Sequence, residues 1–297
     1  MAGRSLLPLA LVAWGCGGSE DYRVSSAADD HPVYEAHWTD EPVDVDGSLD
    51  DEAWRAAEPT ADFIDIRGEG WPVPPSRTRA WMTWDEDALY VAAEIEEPHL
   101  WATLAERDQI VWRDDDFEIF LDPDGDGLNY FEIEINALGT VLDLFLARPY
   151  DQGGSARIDW DLEGLESAVS LRGTLNDPSD EDEGWTVEMA IPWAGLVPPP
   201  DTSAGVGEAV APGAPQPMDE WRVNFSRVDW PLLIEADGYV KERELVDWND
   251  HPEENWVWAP QGRINMHAPE SWGRLRFVDV GPTGADDGST LEEGGDE

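Results

Sequence analysis

The chain has 297 residues and carries 66 Asp and Glu against 18 Lys and Arg, a formal net charge of -48. Such a field repels phosphate backbones and anionic lipid surfaces, which excludes nucleic acid as a partner and leaves a membrane reachable only through an attached anchor. The 17 Trp supply ample core for one domain, and the single Cys, Cys16, excludes an intrachain disulfide.

At the N-terminus, Arg4, the apolar run from Leu6 to Ala13 and the small Gly15 before Cys16 resemble a bacterial lipoprotein signal. The run is too short to span a bilayer. The resemblance implies a signal peptide over 1–15, lipidation of Cys16, and an extracytoplasmic protein, anchored at the outer membrane or cell surface or secreted. Residues 16–37 are rich in Ser, Asp and Ala without periodicity and read as a tether.

The folded domain is expected over 38–280. DGSLDDEAW (46–54) predicts a turn into a short helix capped by Ser48 or Asp50, with Trp54 anchoring it. A short strand follows at 63–66, then a loop in which Pro72, Pro74 and Pro75 forbid regular pairing. Residues 78–84 and 89–96 alternate as a hairpin around Asp85, Glu86 and Asp87, and 99–110 are mixed. Further strands are expected at 141–147, 166–171, 184–191, 221–227 and 271–278. Residues 198–218 read as a disordered Pro, Gly and Ala insertion and 281–297 as an acidic disordered tail.

The stretch WRDDDFEIFLDPDGDGLNYFEIEINALG (112–139) predicts two strands joined by an acidic turn. Phe117, Ile119, Leu121, Phe131, Ile133 and Ile135 alternate with Glu118, Glu132 and Glu134. One face can wall a core, and the other is expected to be wet and acidic. Many short alternating strands with few helices predict an all-β, antiparallel two-sheet β-sandwich with short helices and long loops.

The ordered set DGSLDDEAW, TWDEDALYVAAEI, WRDDDFEIFLDP, FEIEINALG, WRVNFSR and HAPESWGRLRF resembles carbohydrate-binding module family 9 over nearly all of 38–278. The resemblance implies a sandwich that takes an oligo- or polysaccharide between two Trp side chains, with Ca²⁺ supporting loops, in polysaccharide capture or catabolism. By position, Trp112 and Trp258 resemble the walls of that slot and Glu118 the carboxylate that accepts from sugar hydroxyls. Indole faces stack on sugar C–H faces and carboxylates accept from neighbouring hydroxyls, which agrees with those roles. Glu134 stands where sugar-binding members of the family carry an arginine, so Arg222 or Arg227, with Asn224 on the same strand, are the candidate substitutes.

The turn DPDGDG places Asp122, Asp124 and Asp126 at the spacing of the first half of an EF-hand loop, but its twelfth position is Ile133 and supplies no ligand. An acidic hairpin turn explains the spacing equally well. Asp46 and Asp50 form a second calcium candidate, drawn from the resemblance. Two other readings remain. Glu118, Glu132 and Glu134 on neighbouring strands satisfy the carboxylate spacing of a glycoside hydrolase, which ordinary outward Glu residues also do. A related branch of the same sandwich holds haem b, but Met266 and His267 are adjacent and point opposite ways on a strand.

Overall fold

A computed structural model describes residues 31–200, 202, 211–236, 238–247 and 251–278. The expected signal, the lipidation site Cys16, the acidic tail and residues 201 and 203–210 of the 198–218 insertion lie outside the described residues.

The regular secondary structure of the described chain is almost entirely strand. Its order is β1 (Val33–Trp38), α1 (Glu52–Ala56), β2 (Ile64–Asp65), β3 (Thr78–Trp84), β4 (Ala88–Glu96), β5 (Asp116–Asp122), β6 (Tyr130–Asn136), β7 (Val141–Leu146), β8 (Glu166–Arg172), β9 (Gly184–Pro192), β10 (Glu220–Asp229), β11 (Leu232–Glu235), β12 (Gly238–Lys241), β13 (Glu254–Val257) and β14 (Gly273–Val278). Hydrogen bonds join β7-β6-β5-β10-β14-β1-β3-β4-β9-β8 in one path, with β13 pairing β10 and β2. The path curls so that its two halves face each other as the layers of a sandwich. Phe117, Ile119, Ile133 and Phe225 of one layer share a buried core with Met82, Val91, Val187 and Ile191 of the other.

Strand β10 is the seam. Residues 220–223 pair with β14 and residues 226–229 with β13, while its other edge runs along β5. Arg227 fastens the layers from within, donating from Nη1 to the Glu96 carbonyl (3.0 Å) and Thr78 Oγ1 (3.4 Å) at the far sheet.

Four details differ from the sequence reading. Val33–Trp38 is a strand, so the domain begins inside the segment expected to be a tether. That strand pairs parallel with both β14 and β3, a departure from wholly antiparallel order. The helix starts after Asp51, without a side-chain cap from Ser48 or Asp50. The acidic face of β5 and β6 is covered. Phe120, Tyr130, Leu142, Leu144 and Leu146 line it, and Val111, Met266 and Trp272 close over it as a second core. Every residue of β5, β6 and β7 is consequently buried.

Candidate functional site

Two charged centres lie on opposite faces of the same strand ends. Along the outer face of β5, Glu118 stands opposite Glu134 of β6 on one side and Ser226 of β10 on the other. Asp116 is two residues back on the same face, and one carboxylate oxygen from each of Asp116, Glu118 and Glu134 lies within 4.8 Å of the others. Asp116 is 0% exposed, Glu118 5% and Glu134 2%. The backbone N–H of Trp112 donates to Glu134 Oε2 (3.1 Å), whereas neither oxygen of Asp116 has a hydrogen-bond partner. The Ser226 hydroxyl is fully buried beside the Glu118 carboxyl. Burial, then repulsion from Glu118, Glu134, Asp115 and Glu132, holds the Asp116 carboxyl well above its usual range. Burial likewise pushes Glu118 up to about 7.

On the inner face, at the same end, Arg227 is 2% exposed and ion-paired with Glu97, with Asp229 Oδ2 at 3.6 Å. Asp115 Oδ1 accepts from the Trp230 N–H (2.7 Å), and Asp229 Oδ2 accepts from Trp256 Nε1 (2.9 Å). One guanidinium thus serves three carboxylates. Burial raises Glu97 to about 7 despite that cation, with the Asp229 charge adding to the rise. A cavity of about 410 Å³ opens above this set, lined by Trp230, Trp256, Glu97, Asp115, Glu254 and Leu232 among others. Its lip is the loop carrying Pro72, Val73 and Pro75. Trp71, next to that lip, is 50% exposed, with the Arg67 guanidinium 3.7 Å over its ring. Asp65 holds Arg67 in turn, accepting from Nε (2.8 Å) and Nη2 (2.6 Å). The indole is therefore set in place by the charge stacked on it.

Residues 45–278 match the family model described as carbohydrate family 9 binding domain-like. The chain belongs to that family. Endo-1,4-beta-xylanase A of Thermoanaerobacterium saccharolyticum is 25% identical over 162 residues, 54% of this chain and 12% of the xylanase. The match thus spans only a small part of that relative. Among solved structures, a family 9 carbohydrate binding module of Caldicellulosiruptor kristjanssonii in complex with cellotriose aligns at TM-score 0.51 and 15% identity, covering 85% of this chain and 96% of that one. A Bacteroides uniformis protein described as carbohydrate-binding aligns at TM-score 0.55 and 16% identity, covering 83% and 99%. At these identities the likeness establishes the β-sandwich.

Within this family 9-like domain the sequence-predicted site residues scatter. Trp258 does not face Trp112. Val257 pairs with Ser226 and takes the carboxylate face, so Trp258, one residue on, turns into the sandwich core, 6% exposed and 6.0 Å from Phe225. Trp112 is half-buried and stacks instead on Trp230, with centroids 6.5 Å apart and planes within 9°. Trp230 Nε1 donates to the Trp112 carbonyl (2.9 Å). Asn224 is fully buried and clamps Ala259, donating from Nδ2 to its carbonyl and accepting from its N–H, both at 2.9 Å. Arg222 lies at the other end of β10, opposite Asp122, with Nη1 near the carbonyls of Trp272 (3.3 Å) and Glu270 (3.4 Å). Only Arg227 reaches the cavity, and Glu118 belongs to the outer cluster. The reading from sequence missed Trp71, Trp230, Trp256, Glu97 and Asp115. The proline-rich loop signalled the lip, but nothing local marked the Trp and carboxylates that converge from five separate segments.

Of the calcium candidates, Asp122, Asp124 and Asp126 do converge within 4.8 Å. Part of their capacity serves the turn itself, as Asp122 accepts from the N–H of Gly125 (3.1 Å) and Gly127 (2.9 Å). Asp46 and Asp50 join no such group of three among the described residues. Asp46 Oδ1 accepts from Ser48 N–H (2.8 Å), and Glu188 organises the turn by accepting from the N–H of Asp46 (3.0 Å) and Gly47 (2.6 Å). The glycosidase reading loses its geometry, because Glu118, Glu132 and Glu134 are buried beneath the second core. In the haem reading, Met266 Sδ already accepts from Gln261 Nε2 (3.6 Å) and His267 Nδ1 meets Tyr130 OH at 3.1 Å, so both side chains are engaged.

Proposed function

We propose that this domain is a non-catalytic saccharide-binding module that takes its ligand at the inner-face cavity beside Trp71. The observation that supports the reading is the exposed Trp71 indole beside the lip of a pocket that holds hydrogen-bonding charge, in a chain of a carbohydrate-binding family. A cavity of about 410 Å³ suits a short oligosaccharide end. Trp71 offers a flat apolar platform for a pyranose C–H face, and Glu97, Asp115 and Glu254 offer carboxylate acceptors for hydroxyls. The Caldicellulosiruptor kristjanssonii module is solved in complex with cellotriose and with glucose, and the curated relative is a xylanase. We therefore take β-linked glucan or xylan as the polymer class, with polysaccharide capture outside the cytoplasm as the role. Attachment by lipid on Cys16 and a structural Ca²⁺ at Asp122, Asp124 and Asp126 belong to the same reading.

The test is calorimetric titration of the full chain with glucose, cellotriose and xylotriose. Binding should appear for at least one, and Trp71→Ala should weaken it about tenfold or more, roughly 1.4 kcal/mol, without lowering Tm. Retention of full affinity in the Trp71 variant would place the site elsewhere. Absence of binding to any of these and to insoluble cellulose or xylan would sink the module reading.

A further inference from the structure

The outer-face carboxylates carry a second inference, independent of where a saccharide binds. We propose that Asp116, Glu118 and Glu134, with the Ser226 hydroxyl, form an internal site for a divalent cation of the calcium class. Three facts support it. The carboxylate oxygens converge within 4.8 Å, the span expected of ligands on opposite sides of a Ca²⁺ with Ca–O near 2.4 Å. Both oxygens of Asp116 are fully buried yet unpartnered, although groups so buried ordinarily find partners. The charges acting on Asp116 are all carboxylates, so among the described residues no cation offsets the cost of burying it.

The donor chemistry selects the ion. Every candidate ligand is a hard oxygen, and neither Cys nor His joins the three, which favours Ca²⁺ over Zn²⁺ or copper. Mg²⁺ demands a tighter octahedron and keeps its waters, which suits a dry pocket poorly. Glu253 is a further potential donor, since its charge acts on Glu118 and its Oε2 is also buried and unpartnered.

The site would have a mechanical role. Glu134 accepts from the Trp112 N–H, so a bound ion fixes the turn Val111–Arg113 and with it the carbonyl on which Trp230 hangs. Asp115, next to Asp116, meanwhile points into the cavity.

The experiment uses the full chain stripped with EGTA and dialysed, probed with Tb³⁺ as a luminescent substitute and with CaCl₂ by calorimetry and thermal unfolding. Trp112 lies close enough to Glu134 to sensitise Tb³⁺. Asp124→Asn/Asp126→Asn separates this site from the acidic turn, and Glu134→Gln removes one ligand at constant shape while relieving repulsion, so that variant should fold. Expected are sensitised emission and a Ca²⁺-dependent rise in Tm that persist in the turn variant and fall at least tenfold in affinity in Glu134→Gln. Signals lost with the turn variant and kept in Glu134→Gln would assign calcium to the turn alone. No Ca²⁺ or Tb³⁺ effect in the stripped wild type would show that protons alone neutralise the cluster. Either result overturns the proposal.

Discussion

A step of one residue along a strand reverses a side chain, and at the start of β5 that step divides two charged clusters. Asp115 enters the cavity with Arg227, while Asp116 enters the outer cluster with Glu118. The same rule places Trp258 in the core. Its ring occupies the space above Gly273, where an added Cβ would come within 2.3 Å of Trp258 Cζ3. Trp258→Ala should therefore act on stability, costing on the order of 3–5 kcal/mol as a large core deletion does, measured by urea unfolding. Saccharide affinity of the folded fraction should be unchanged. A stable variant that has lost binding would return Trp258 to the site.

Among the elements, β9 does more than pair. Its Glu188 is fully buried on the sheet face that meets the turn before α1. There it accepts from Trp54 Nε1 (2.5 Å) as well as from the N–H groups of Asp46 and Gly47. One carboxylate thus ties the 46–54 segment to the sandwich. Glu188→Ala strands three donors, and buried unsatisfied groups cost about 1–3 kcal/mol each, less where water enters the gap. A loss of roughly 2–4 kcal/mol in chemical unfolding is expected, with protease sensitivity appearing first near 44–58. Unchanged stability would mean that this turn is held by something else.

The same elements show what the sequence could disclose. Alternation on β3 to β6 is a local property, so Phe117 to Ile135 declared their inner face directly. Whether the other face is wet is not local. It depends on Val111, Met266 and Trp272 arriving from aperiodic loops, and an alternating strand looks alike with or without such a cover. Strand β13 hid for a related reason: its residues 254–257 follow a loop-rich stretch and are ordered by pairing with β10 and β2. The Trp112 to Glu118 stretch contributes Asp115 to the cavity, but the rest of the lining comes from the segment after β4, the end of β10, β13 and a proline loop, contacts that no single stretch encodes.

At the scale of the molecule, the sandwich is closed by a charge. Arg227 lies between the layers, bonded to the β3 and β4 ends on one side and surrounded by Glu97, Asp115 and Asp229. With three carboxylates to one guanidinium, the set favours an added proton. Glu97 has its folded pKa raised to about 7 by burial, above the ordinary value of 4.5 that it regains on unfolding. Between these values the native state binds a proton that the unfolded chain has released. The stabilisation from Glu97 is therefore complete below about pH 4.5 and disappears as pH rises through 7, a swing on the order of 3 kcal/mol. Glu97→Gln retains the shape and cannot titrate. Urea unfolding at pH 5, 6, 7 and 8 should show the wild type losing stability across this range relative to the variant, with the two slopes converging above pH 8. Parallel curves for the two proteins would mean that Arg227 keeps Glu97 ionised throughout, and the closure would then be an ordinary ion pair, insensitive to pH in this window.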